Sequence, residues 1–100
     1  MKRAVFLQGF EVDLDAEIAW YQERGQGLGV AFAGAVEAGI ESVIGWPEAT
    51  AEVREGVRRK WLARFQHALV YRQEGDEIIF IGIQHGAQDF QSWLEKRPKA

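Results

Sequence analysis

Three runs of β-branched and aromatic residues follow one another closely in the second half of this chain, between Arg54 and Trp93. They cover Val57 to Leu62, Ala68 to Arg72 and Ile78 to Ile83, and turn-type or charged residues bound each run, as is typical of strands. Gly75 lies between the last two runs and can adopt the positive φ of a tight turn without steric cost. The stretch therefore predicts a three-stranded antiparallel meander.

The first half of the chain predicts one strand and two helices. The run from Arg3 to Gln8 has a short apolar centre and predicts a strand that pairs within the later sheet. Apolar residues then recur at helical spacing from Phe10 to Tyr21 and again from Leu28 to Trp46, with Gly25 and Gly27 between them. The two helices are expected to form a hairpin.

Three glycines interrupt the second predicted helix. Gly29, Gly34 and Gly39 each cost about 1 kcal/mol relative to alanine in an exposed helix interior. Close approach of another backbone would offset that cost. We therefore expect this helix to pack tightly on the first helix or on the sheet.

The end of the chain predicts a short last helix. Asp89 is a suitable amino-terminal cap, residues 90–97 carry apolar side chains at helical spacing, and Pro98 ends the pattern. The order of elements is β-α-α-β-β-β with a short C-terminal helix. We predict an α+β fold of two layers, in which the helices lie on one face of a largely antiparallel sheet.

Length and composition set further bounds. A chain of 100 residues is large enough for one hydrophobic core, so residues 1–100 are expected to form a single domain. The absence of cysteine excludes disulfides and thiolate metal sites, and it fits a reducing cytoplasm. The apolar run near the start is too short for a signal peptide or a membrane span. We expect a cytoplasmic protein without a membrane partner.

The formal net charge of −3 hides a division along the chain. Between Phe10 and Val53 nine acidic residues stand against Arg24 alone, whereas Arg54 to Arg72 holds six basic residues against Glu55. If the basic residues share one face of the sheet, they form a positive surface that can meet nucleic acid or an acidic protein segment. Alternatively, these residues are solvated or contact the acidic helices of the same chain.

Other chemistry has little basis in the sequence. No glycine-rich phosphate loop follows a strand, no nucleophile elbow is present, and no histidines and carboxylates occur at metal-ligand spacing. We therefore expect no cofactor and no metal.

Three local patterns follow one another along nearly the whole chain. The first is residues 13–14 (DL), 19–24 (AWYQER) and 27–29 (GLG); the second is residues 56–59 (GVRR), 64–65 (RF) and 69–72 (LVYR); the third is Ile83, His85-Gly86 and Trp93. In their order and spacing they resemble the RelE/ParE toxin superfamily of bacterial toxin-antitoxin systems, also described as plasmid stabilisation proteins. The resemblance implies a growth-inhibiting toxin in a hetero-oligomer with a cognate antitoxin, whose tail wraps the helical hairpin and sheet.

The resemblance is nearer to the ParE branch than to the RelE branch. RelE-like members cut messenger RNA on the ribosome, with basic and tyrosine side chains on the sheet and at its carboxyl end. Here the corresponding positions hold Ala68, Gln88 and Trp93, which neither transfer a proton nor neutralise a phosphate. ParE-like members poison DNA gyrase by binding, which argues against an enzyme.

Candidate site residues follow from the ParE-like interpretation. The target-binding surface is predicted to hold Arg58, Arg59 and Arg64, with Trp93 as an exposed anchor; alternatively, Trp93 is a core residue under the last helix. The antitoxin is predicted to cover exposed apolar residues of the hairpin, with Trp20, Val30 and Trp46 as candidates.

Two alternatives remain open at this point. One is a ribosome-dependent mRNA endoribonuclease of RelE type, for which His85, His67 and Lys60 are the candidate catalytic residues. The other is a degenerate, non-toxic domain that only binds an antitoxin.

Overall fold

Five strands and three helices form the fold in the computed structural model, which describes residues 2–97. In chain order they are β1 (Arg3–Phe6), α1 (Gln8–Arg24), α2 (Leu28–Gly45), β2 (Glu52–Arg54), β3 (Val57–Trp61), β4 (His67–Glu74), β5 (Glu77–His85) and α3 (Phe90–Glu95).

The strands form one mixed sheet in the spatial order β1-β5-β4-β3-β2. Antiparallel pairs join β2 to β3, β3 to β4 and β4 to β5, so the predicted meander is confirmed. Strand β1 completes the sheet by pairing in parallel with β5, with Val5 opposite Ile79. Gly75 has a φ of 60° in the turn between β4 and β5, as its position predicted. The α+β fold class is therefore confirmed.

The helical hairpin covers one face of the sheet, which we call the helix-covered face. Side chains on this face of β4 and β5 include Leu69, Tyr71 and Phe80, and each of the three is fully buried. Phe10 of α1 and Phe32 of α2 pack into the same cluster. Because successive strand residues alternate between faces, these positions define the side on which the main core lies.

The other face of the sheet, which we call the open face, is contacted by helix α3 and by no other helix of residues 2–97. Trp93 packs there against Val70 and Ile81 in a second, smaller cluster. This placement differs from the expectation that all helices lie on one face. Strand β5 has a bulge at this point, because Ile81 is an extra residue between the pairs Val70–Gly82 and Tyr71–Phe80. The absence of a side chain on Gly82 leaves space for the Trp93 ring, since a Cβ atom there would lie 2.8 Å from Trp93 Cζ2.

Two glycines of α2 make the predicted close contacts, and the third does not. A Cβ atom on Gly29 would lie 3.0 Å from the Ile18 carbonyl oxygen of α1, and one on Gly39 would lie 2.9 Å from a Leu69 methyl carbon. Gly34 is exposed, with no neighbouring atom within 4 Å of an added Cβ. Close packing therefore explains Gly29 and Gly39 only.

Helix α2 has the length and composition of a membrane span, with 18 residues and a mean hydropathy of 1.4. Core helices of soluble proteins meet the same criterion. The buried residues Phe32, Val36 and Val43 recur at helical spacing and belong to the main core. Packing against the sheet thus accounts for part of the apolar composition of α2, since 28% of its residues are buried.

The free edge of β5 beyond β1 is closed by side chains from both ends of the fold. The backbone N–H of Ile83 donates to Asp13 Oδ2 of α1 at 2.8 Å, and the Arg97 guanidinium forms an ion pair with the same oxygen at 2.8 Å. The Arg97 guanidinium carbon also lies 4.0 Å from the centre of the Trp93 ring. These contacts hold α3 against the sheet.

Candidate binding surfaces

Arg58 and Arg59 lie on opposite faces of the sheet. They are consecutive residues of β3, where Arg58 pairs with Tyr71 and Arg59 with Val70. Tyr71 belongs to the core on the helix-covered face and Val70 to the cluster on the open face. The prediction that Arg58, Arg59 and Arg64 form one cationic surface is therefore wrong, because strand geometry sends adjacent side chains in opposite directions.

Arg58 serves the loop that joins α2 to β2. Its guanidinium donates a hydrogen bond to the carbonyl oxygen of Thr50 and lies 3.8 Å from a carboxylate oxygen of Glu52. The Tyr71 hydroxyl fixes the same loop by donating to the Pro47 carbonyl oxygen at 2.7 Å. Arg58 thus has internal partners that explain its position.

Arg64 is exposed in the turn between β3 and β4. It has a φ of 73°, a left-handed conformation that costs energy for a side chain with a Cβ atom. None of the ion pairs among residues 2–97 includes Arg64.

Trp93 is not an exposed anchor. Only 7% of its surface is accessible, because helix α3 turns the ring toward Val70 and Ile81. The alternative interpretation, a core residue under the last helix, is therefore correct for Trp93.

Arg59 lies on the open face of β3, near two aromatic rings. Its guanidinium carbon is 4.8 Å from the centre of the Phe90 ring and 5.2 Å from the centre of the Trp61 ring. One terminal nitrogen donates to Gln84 Oε1 at 3.2 Å, and the buried Gln84 in turn donates to the carbonyl oxygen of Gln88 at 2.9 Å. The cation is thus held in place by neutral groups.

Two further arginines share the open face with Arg59. Arg54 of β2 pairs with Val57, and Arg72 of β4 is two residues beyond Val70, so all these side chains lie on one side of the sheet. Arg72 forms an ion pair with Glu74 at 2.8 Å, whereas Arg54 is exposed. The part of the open face that α3 leaves uncovered is therefore cationic.

The positions at which RelE-like members carry catalytic groups also lie near Arg59. Ala68 pairs with Trp61 on β3 and Gln84 on β5, and it is fully buried. Gln88 uses its side-chain oxygen to accept the backbone N–H of His85 at 3.0 Å. Neither position supplies an acid, a base or a cation.

His67 lies inside the helix-covered side of the fold. Only 2% of its surface is exposed, and its Nε2 atom is 3.2 Å from Glu17 Oε1 of α1. Apart from that contact with Glu17, both ring nitrogens of His67 lack a hydrogen-bond partner among residues 2–97. Burial lowers the pKa of His67, and the neighbouring Glu17 carboxylate opposes that shift. Tyr21 lies on helix α1 with Glu17, and its pKa is raised by burial and by the Glu17 carboxylate.

The three candidate catalytic residues do not form an accessible constellation. His85 pairs with His67 and their rings are 4.8 Å apart. His85 Nδ1 accepts the backbone N–H of Ala87 at 2.9 Å, which assigns its proton to Nε2. Lys60 pairs with Leu69, which is the next residue after His67 on the helix-covered face of β4. Because His67 is buried, it cannot touch a substrate in this conformation.

The hairpin residues predicted to meet an antitoxin are all exposed. The accessible fractions are 47% for Trp20, 73% for Val30 and 77% for Trp46. Arg24 lies over the Trp20 ring, with its guanidinium carbon 3.7 Å from the ring centre. A shallow cavity of about 430 Å³ lies beside Trp46, at the carboxyl end of α2. These positions are available to a partner.

The partners of Arg59 on the open face were not singled out from the sequence. Trp61 follows from strand alternation, because it is two residues beyond Arg59 and shares its face. Gln84 and Phe90 had no comparable signal, since their contacts with Arg59 depend on how β5 and α3 pack.

Comparison with known proteins identifies the fold. No protein-family model matches the sequence, and no curated protein sequence matches it. Among solved structures, a chain of the chromosomal ParDE toxin-antitoxin system from P. aeruginosa matches with a TM-score of 0.63 and 23% sequence identity. The match covers 85% of this chain and 96% of that chain.

The chain has a ParE-like fold. The fold that the three sequence patterns implied by resemblance is thus confirmed. At 23% identity the likeness concerns the fold, so function must be argued from the surfaces of this chain.

Proposed function

We propose that this protein is the toxin of a type II toxin-antitoxin system, and that it inhibits growth by binding a cellular target. The observation that carries the proposal is the ParE-like fold, which is similar over 85% of this chain to a chain of a ParDE toxin-antitoxin system. In this proposal the toxin acts in the cytoplasm, where a cognate antitoxin holds it inactive in a hetero-oligomer.

Binding is favoured over RNA cleavage by the chemistry of the open face. Cleavage requires a base, an acid and cations around one phosphate. Around Arg59 the described neighbours are Gln84, Phe90 and Trp61, of which none transfers a proton. His67 is buried on the other side of the sheet. Arg59 without an acid or a base beside it can bind a target electrostatically, but it cannot cleave RNA.

DNA gyrase is the target that we propose, on the basis of the ParE-like fold. Induced expression without an antitoxin is expected to stop growth and cause filamentation. Purified protein is expected to convert supercoiled plasmid to cleaved DNA only when gyrase is present. Each assay includes an uninduced culture or a reaction without gyrase as its control.

Two other results would overturn this proposal in different ways. Codon-specific cuts in messenger RNA, measured by primer extension on translating ribosomes, would identify a RelE-type nuclease. Normal growth at a verified level of folded protein would identify a non-toxic antitoxin-binding domain.

The antitoxin is proposed to cover the outer side of the helical hairpin. Trp46 and Val30 are its most exposed large apolar residues, and such residues contribute most to binding when a partner buries them. Replacing Trp46 and Val30 together by serine is expected to weaken neutralisation by an antitoxin that protects cells from the unchanged protein, measured as growth on co-expression. The matched control is Val53→Ser, which changes an exposed valine of β2; an equal loss in that control would contradict the assignment.

A further inference from the structure

Arg59 differs from the other arginines of residues 2–97 because it is half-buried and no carboxylate among these residues forms an ion pair with it. Arg54 and Arg64, which also lack an acidic partner, are exposed to water. Arg59 is half-buried, and its Nε atom is inaccessible and donates to no atom. The arginines that do form ion pairs with carboxylates are Arg3, Arg24, Arg58, Arg72 and Arg97.

An unpaired, half-buried guanidinium is an unusual arrangement in a folded protein. Removing a cation from water carries a cost, which a carboxylate normally offsets. Here the offset comes from Gln84 Oε1 and from the faces of the Phe90 and Trp61 rings, which are weaker partners than an acid. The guanidinium therefore keeps the capacity to bind an incoming carboxylate.

The surroundings of Arg59 favour a protein partner over a nucleic acid. Trp61 has 47% of its surface exposed, and Val57 lies on the same strand face, on the other side of Arg59. A fixed arginine beside an exposed tryptophan is the composition of a protein-binding hot spot. A nucleic acid would instead require several cations along its backbone, but Arg72 is already paired with Glu74, and the chain carries a formal net charge of −3.

We infer that Arg59 and Trp61 form the centre of a docking site for an acidic segment of a partner protein. One aspartate or glutamate of that segment binds the guanidinium, and an adjacent apolar side chain packs on the Trp61 ring. The exposed Arg54 lies at the rim of the site and increases the rate of encounter. This inference rests on the proposed function, because only a toxin would have this partner protein as its target.

The test begins with selection from a phage library of random dodecapeptides on the purified chain of residues 1–100. Enriched peptides are expected to contain aspartate or glutamate next to an apolar residue. A synthetic peptide of the enriched sequence is expected to bind Arg59→Gln about 30-fold more weakly, as for a hot-spot residue. Arg59→Lys should recover part of that loss, because lysine keeps the charge without the planar fork. Trp61→Ser should also weaken binding.

The matched control is Arg3→Gln, which removes an exposed arginine from the edge strand β1. Peptide binding by this variant is expected to equal that of the unchanged protein. Thermal unfolding of Arg59→Gln within a few degrees of the parent would show that the variant is folded; if it unfolds earlier, Arg59→Lys and Trp61→Ser carry the comparison.

Three outcomes would overturn the inference. The first is that the selection does not enrich acidic peptides. The second is that Trp61→Ser and a folded Arg59→Gln both bind the peptide as tightly as the parent does. The third is that a 20-nucleotide single-stranded RNA, and not the peptide, binds in a way that depends on Arg59. The growth and gyrase assays are independent of this selection. Acidic-peptide binding without toxicity would contradict the proposed function, whereas toxicity that is unchanged in folded Arg59→Gln would contradict the docking site.

Discussion

The two faces of the sheet differ in how completely their side chains are packed and in whether their arginines have internal partners. On the helix-covered face, Phe10, Phe32 and Phe80 are almost completely buried in one core cluster, and Arg58 is bonded to the preceding loop. On the open face, the cluster around Trp93 is small, and the partners of Arg59 among residues 2–97 are neutral. The helix-covered face thus contributes most of the packing, whereas the open face carries an arginine without an acidic partner among residues 2–97.

This division shows why neighbouring residues of one strand can have unrelated roles. Arg58 and Arg59 have the same chemistry and adjacent positions, yet one completes the fold and the other is available to a partner. Sheet geometry separates them, because it assigns alternate residues to surfaces with different packing.

The largest expected difference between the faces concerns aromatic residues. Phe80→Ala should lower the free energy of unfolding by about 4 kcal/mol, because it leaves a cavity inside the main core. Trp93→Ala should lower it by about 2 kcal/mol, because the short helix α3 can detach while the rest stays folded. Denaturant unfolding measures both values, and equal losses would contradict the division.

An intermediate effect is expected from one substitution made on the two sides of α2. Gly29→Ala should destabilise the protein by about 1–2 kcal/mol, since the new methyl group would press on the Ile18 carbonyl oxygen 3.0 Å away. Gly34→Ala should stabilise it by about 0.5–1 kcal/mol, because alanine has the better helix propensity and meets no neighbour. Thermal unfolding measures the sign of each change, and destabilisation by Gly34→Ala would show that this side of α2 is covered.

The smallest expected effect is a pH dependence that originates on the helix-covered face. The folded protein holds the pKa of His67 below its ordinary value of 6.5, mainly through burial. Below pH 6.5 the unfolded chain therefore binds more protons than the folded one, and stability falls as pH decreases. Unfolding measured between pH 7.5 and pH 5.5 should show this fall. In His67→Phe the slope should decrease, and an unchanged slope would assign the dependence to other groups.

The fold could be predicted from the sequence wherever side-chain periodicity was clear. The β3–β5 meander and the α1–α2 hairpin are confirmed, with shifts of a few residues at their ends. Strand β2 was not predicted, because its three residues are all exposed and lack an apolar alternation. The side on which α3 packs could not be predicted either, because the bulge at Ile81 and the space that Gly82 leaves for Trp93 depend on strand register.

The candidate sites were predicted less completely than the fold. The exposure of Trp20, Val30 and Trp46 agrees with the expectation for the hairpin, although binding of an antitoxin stays a prediction. The charge pattern indicated a basic surface, but counting charges ignored the alternation that separates Arg58 from Arg59. Alternation applied to β3 would have made this correction from the sequence alone.

The parallel pairing of β1 with β5 also governs the order in which the protein can be completed. Arg3 and Glu77 are 74 residues apart along the chain, so the first strand has no neighbour until the fifth has been synthesised. Gln84 and Phe90, which hold the Arg59 side chain, emerge from the ribosome later still. A partly synthesised chain thus has an exposed sheet edge and an unsupported Arg59, and the surface that we propose for the target is assembled last.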